Sequence, residues 1–150
     1  MRATLAGWTR AQQRPTVAVA GFVPARVSRR ELRELAAAGL VTLRAGKDGC
    51  RVSEDDAVIL ECWAQFKAAG LGPEQGLGPA ELRLYDEAME RLVAREARMA
   101  LRTRAGAPAE ELSRIVEQIG PVIERLLGAM HRKRLRRFLA EAGGDATPAR

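Results

Sequence analysis

Six cations fall between residues 29 and 51 of this 150-residue chain: Arg29, Arg30 and Arg33, then Arg44, Lys47 and Arg51. Fixed positive charges with no histidine among them bind polyanions, and arginine adds a planar fork of donors suited to phosphate oxygens and base edges. The first three stand at helical spacing, largely off a narrow stripe of Val27, Glu31/Leu32, Leu35 and Ala36, with Ala38 following. That spacing predicts a short helix that shows arginines to a partner. No arrangement elsewhere competes with it. The carboxylates at 54–56 and 86–90 have spacings explained by caps and salt pairs, and no Ser/His/Asp or Cys/His set has a supporting third group, so an enzyme is not expected. His131 is the single histidine, and Cys50 and Cys62 lie twelve apart without a CxxC, so metal sites, cofactors and disulfides are not expected either.

The elements that must position the cations carry their own signals. Ser28 is an N-cap with Glu31 in the capping-box position, and Gly39 can take the left-handed conformation that stops the helix. Leu40–Leu43 reads as a strand, 45–49 as a turn and Cys50–Val52 as a returning strand. Helix, glycine stop and basic hairpin in that order suggest a winged helix-turn-helix.

The residues Val27-Ser28-x-Arg30-x-Leu32-Arg33-x-Leu35, then Gly39-Leu40-Val41, then Asp48-Gly49-Cys50-Arg51-Val52-Ser53-Glu54-Asp55-Asp56, resemble the DNA-reading half of the MerR-type transcription regulators. The likeness covers about a third of the chain. It departs from the family at Glu34 and Leu35, which occupy two aromatic positions, and at Cys50, which stands for a wing tyrosine. An acid at position 34 repels phosphate oxygens. The resemblance implies that helix 28–38 enters the major groove of double-stranded DNA while the 40–52 wing clamps the backbone. It also offers an alternative, because small MerR-like domains such as the J-domain chaperone modulators use the same scaffold to bind a protein.

Charge is distributed in support of a polyanion-binding head. Residues 1–51 hold ten Lys/Arg against three Asp/Glu, residues 52–130 nine against fourteen, and residues 131–150 six against two, within a net charge of +6. Hydrophobic residues make up 47% of the chain, enough for a core, and Ala, Leu, Arg and Glu favour helices. No apolar run reaches the roughly 20 residues of a membrane span, and the start lacks a signal-peptide core; a cytoplasmic protein without membrane contact is expected.

The fold class that follows is mainly α, a small winged helix-turn-helix head followed by a long helix and C-terminal helices. Residues 1–15 read as a basic arm that Trp8 anchors, 16–72 as the head, 79–142 as a helical dimerisation or effector region and 143–150 as a tail. Within the head, 16–22 suits either a buried strand or a first helix of the motif, which would lie between Thr16 and Ala25. Ser53 caps a helix to about Ala69 whose buried face is Val58, Ile59, Cys62, Trp63, Phe66 and Ala69. Beyond a linker at 71–79, Leu82, Tyr85, Met89, Leu92 and Met99 recur as a coiled-coil seam, broken by Glu96, in a helix of about 25 residues that needs a partner, either a second subunit in a homodimer or the chain's own C-terminal helices. Gly106 and Pro108 end that pattern. A short helix from Ala109 then stops at Gly120-Pro121, and a last one runs from Val122 to about Ala142. Tyr85, Met89, Met99 and Met130 are expected in the core, or lining a pocket for a small-molecule effector; a protein effector is the other option. The cations of 131–137 suit a solvated face, a second nucleic-acid contact or an acidic partner.

Overall fold

The computed structural model describes residues 16–19, 27–47 and 49–144. It is mainly helical, with a small antiparallel sheet near the N-terminal end and long helices after it. In chain order the described elements are strand β1 (Thr16–Ala18), helix α1 (Arg29–Ala37), strands β2 (Arg44–Gly46) and β3 (Gly49–Ser53), helix α2 (Glu54–Ala68), a 3-10 turn at Pro73–Gln75, helix α3 (Pro79–Thr103) and helix α4 (Ala109–Gly144). The arm with Trp8, the segment 20–26 where a first motif helix was expected to continue, Asp48 and the tail from 145 lie outside the described residues. Among the described residues the chain divides into two compact units, one up to Ala105 and one from Gly106 onward.

In the first unit the sheet has the order β1-β3-β2, with Val17 opposite Val52 and Ala45 opposite Cys50. Of the two readings of 16–22, Thr16–Ala18 is the strand. Helix α1 has both ends fixed. Glu31 N–H donates to Ser28 Oγ (3.2 Å) and Ser28 N–H donates to Glu31 Oε2 (2.7 Å), the reciprocal capping box. At the other end Gly39 sits at φ +78°, and the N–H groups of Gly39 and Leu40 close onto the carbonyls of Ala36 and Leu35.

The first wing strand is later than the sequence suggests. Leu40–Leu43 is not a strand; Val41 is buried, Leu40 and Leu43 pack against the core, and the Thr42 N–H is taken by Asp56 Oδ2 at 3.2 Å. A backbone donor satisfied by a carboxylate has no need of a ladder, so pairing begins only at Arg44.

Helix α2 puts Trp63 and Phe66 inward as expected, but the rest of its inward face differs. Ala57, Leu60, Trp63 and Ala64 are buried, Phe66 packs against the core, and Val58, Ile59, Cys62 and Ala69 are exposed. Apolar residues stand on nearly every side of this helix, so periodicity does not select one face. The small side chains of Ala57 and Ala64 let the backbone approach its neighbours closely, which favours the face they share with Leu60. Trp63 with Leu35, Leu60 and Val52 forms the fully buried centre. Truncating a buried tryptophan to alanine typically costs about 3–5 kcal/mol.

Helix α3 begins at Pro79, with Glu81 Oε2 accepting from the Gly78 N–H at 2.7 Å. Its Leu82 enters the core of the first unit, Leu92 is half-buried, and Tyr85, Met89 and Met99 are exposed. The expected seam is therefore divided: its first residue belongs to the head. The Arg83–Glu87 pair forms at 3.2 Å.

In the second unit the two expected helices are one. Helix α4 runs for 36 residues through Gly120 and Pro121. An internal proline removes one backbone donor and crowds the carbonyl four residues back, but eleven helical residues precede Gly120 and more than twenty follow Pro121, and the cooperativity of such flanks carries the helix through. Met130 and His131 are exposed on it, as are the cations of 132–137.

Candidate nucleic-acid interface

The surface in question is built on α1. Leu32 and Leu35 face the core, which turns Arg29, Arg30, Arg33 and Ala37 outward, with Glu34 on the edge of that exposed face. The three arginines differ in what they do. Arg30 Nε donates to Glu34 Oε1 at 2.7 Å, and its side chain is 84% exposed. The carboxylate raises the Arg30 pKa above its ordinary value, by hydrogen bond first and by charge second. Arg33 Nε donates to the Arg29 backbone carbonyl at 3.2 Å, which turns its guanidinium along the helix. Arg29 and Arg33 form no ion pair among the described residues.

The orientation of α1 is set by Glu31, whose partners beyond the cap a reading of the sequence does not find. Glu31 is half-buried, and its carboxylate joins three residues, one at the cap of α1 and two on α2. Oε2 takes the Ser28 N–H, while Oε1 takes the Trp63 Nε1–H at 3.3 Å and the Lys67 Nζ at 2.5 Å. Burial pushes the Glu31 pKa up, and the opposing bonds from Lys67 and from the Ser28 backbone and hydroxyl outweigh it, so the carboxyl is held at about 2. Trp63 and Lys67 are 32 and 36 residues from Glu31, and no local pattern announces a pairing at that distance.

The hairpin supplies the second group of cations. Arg44 and Lys47 are exposed and form no ion pair among the described residues. Arg51 is engaged. Its Nε donates to Thr16 Oγ1 at 2.9 Å and its Nη2 to the Thr16 carbonyl, so it fastens β1 to β3 from a half-buried position. Gly46 makes room for it, since a Cβ there would meet Arg51 Cδ at 2.5 Å and Cγ at 2.7 Å. Of the six cations singled out by the sequence, five are displayed and one is structural.

Among the described residues no group of three or more His, Cys, Asp or Glu could hold a metal ion, and no helix is long and apolar enough to cross a membrane. Cys50 is half-buried and Cys62 exposed, both as free thiols. Compared with protein-family models, with curated proteins and with solved structures, the chain matches none.

Proposed function

We propose that the chain is a DNA-binding transcription regulator of MerR-like type, a homodimer that reads the major groove with the outward face of α1 and contacts phosphates from the β2–β3 hairpin. The observation that carries the reading is the single exposed face formed by Arg29, Arg30 and Arg33 on a helix that is capped at both ends and locked to the core through Glu31. A rigid arginine-bearing helix in the same unit as a hairpin bearing Arg44 and Lys47 is suited to a duplex, with the helix in a groove and the hairpin along a phosphate strand. Pairing through α3 is supported by the exposure of Tyr85, Met89 and Met99 on a helix only whose first turn is buried in the head. A gel-shift series with random-sequence duplexes at low salt tests the reading, and light scattering with and without duplex tests the dimer. Absence of any retarded species at low salt contradicts it.

A second reading has its own observation. Val58 is 54% exposed on α2 and stands beside exposed Ile59 and Cys62, an apolar strip on the outside of the head. Such a strip suits a protein partner, as in a chaperone-modulator-like adaptor. A complex that forms without DNA and is lost in Val58→Asp, with salt-independent affinity, favours this reading.

A further inference from the structure

Glu34 is the residue that speaks most plainly against a DNA-reading helix, and its geometry gives it another role. We propose that Glu34 is a positioning residue for Arg30, holding its guanidinium so that the terminal nitrogens present a two-donor fork to a guanine; this rests on the DNA-binding reading above.

Three observations converge. The contact is made by Arg30 Nε, at 2.7 Å from Glu34 Oε1, so the carboxylate occupies the base of the guanidinium and leaves Nη1 and Nη2 outside the pair. The two side chains are unequally exposed, 84% for Arg30 and 42% for Glu34, so the arginine stands outboard and the acid behind it. Guanine offers O6 and N7 on its major-groove edge, which two parallel N–H donors match. An arginine left free must lose rotamer freedom when it engages a base, whereas one already pinned at Nε has lost part of it beforehand.

The pair is also poorly placed for merely stabilising the helix. Glu34 lies in the last turn of α1, where the dipole disfavours an anion, and the order Arg then Glu at i,i+4 is the weaker one. Exposed pairs of this kind contribute little to folding. Arg29 and Arg33 have no carboxylate behind them among the described residues. Arg33 is held at Nε by the Arg29 carbonyl, which turns its guanidinium along the helix; it and Arg29 suit phosphate contacts, while Arg30, pinned by a carboxylate, suits a base, which demands direction.

The same carboxylate supplies discrimination by repulsion. A charge that approaches the duplex with its arginine well seated on guanine is compensated; away from guanine it is left facing phosphates.

The test is selection of duplexes from a randomised library by the full-length protein, followed by anisotropy titrations of the selected duplex and a shuffled one against wild type, Glu34→Ala, Glu34→Gln, Arg30→Ala and the double variant Arg30→Ala/Glu34→Ala. The proposal expects wild type to enrich an invariant G·C pair. In Glu34→Ala the preference for the selected duplex falls on the order of 10-fold while affinity for the shuffled duplex rises. Glu34→Gln, whose amide oxygen still accepts from Nε, retains most of the preference. Arg30→Ala and the double variant have the same preference, because Glu34 acts only through Arg30. If Glu34→Ala tightens binding to both duplexes equally, the residue is a bystander charge and the proposal fails while the DNA reading stands. If wild type binds neither the library nor either duplex, the DNA reading itself fails and takes the proposal with it.

Discussion

Glu31 Oε1 lies 2.5 Å from Lys67 Nζ, and through this contact the capping residue of α1 is bonded to the last turn of α2. One carboxylate thus ends one helix and aligns it on another. Glu31→Gln removes the charge while keeping the shape, and a loss of about 1–3 kcal/mol in urea unfolding is expected. The acid limb follows from the same group. Its pKa drops on folding from 4.5 to about 2, so its contribution is complete above about pH 4.5 and is lost as the pH falls toward 2. After allowance for solvent screening that contribution is on the order of 1–2 kcal/mol. Stability measured from pH 6 to pH 2 should therefore fall less steeply in Glu31→Gln than in wild type.

Leu60 and Cys62 are two residues apart and have opposite environments, Leu60 fully buried and Cys62 exposed. Leu60→Ala should cost about 2–5 kcal/mol by leaving a cavity between α2 and the sheet. Cys62→Ala should lie within about 0.5 kcal/mol of wild type. Equal losses from the two would mean that α2 is rotated.

These contrasts show what the chain announces and what it conceals. Local signals were legible: Ser28 with Glu31, Ser53 before three acids, Gly39 and Pro79 mark helix ends through bonds that span three or four residues. The outward placement of Arg29, Arg30 and Arg33 was legible for the same reason, since it follows from Leu32 and Leu35 on the opposite side. Contacts between distant residues were not. Arg51 looked like a free cation because its partner Thr16 is 35 residues away, and Thr42 looked like a strand residue because Asp56 is 14 away. The buried face of α2 was hidden by apolar residues all round the helix, and the continuity of α4 by a proline whose local cost is outweighed by long flanks.

Gly46→Ala should loosen the first strand. The added methyl displaces the aliphatic part of Arg51, and with it both bonds to Thr16. A loss of about 1–2 kcal/mol is expected, along with faster amide hydrogen exchange at 16–18. Thr16→Val, which removes only the hydroxyl contact, should have the smaller effect.

Pro121→Ala should strengthen α4 without changing its extent. Proline is about 3 kcal/mol less favourable than alanine inside a helix, so the variant should slow hydrogen exchange around 117–125 and raise the thermal stability of the helical signal. A gain in helical content by several residues would point instead to a break at Gly120-Pro121 in the wild-type protein.

The DNA-binding account rests most directly on displayed positive charge, and salt measures that. With Arg29, Arg30, Arg33, Arg44 and Lys47 on the surface and Arg51 committed to Thr16, affinity for a duplex should fall between about 100- and 1,000-fold from 50 to 200 mM salt. Replacing Arg44 and Lys47 together by alanine should flatten the log–log slope by about two. Anisotropy titrations across that range decide the matter: a steep slope reduced in the double variant is the predicted result, and no binding at 50 mM, or an affinity indifferent to salt, contradicts it.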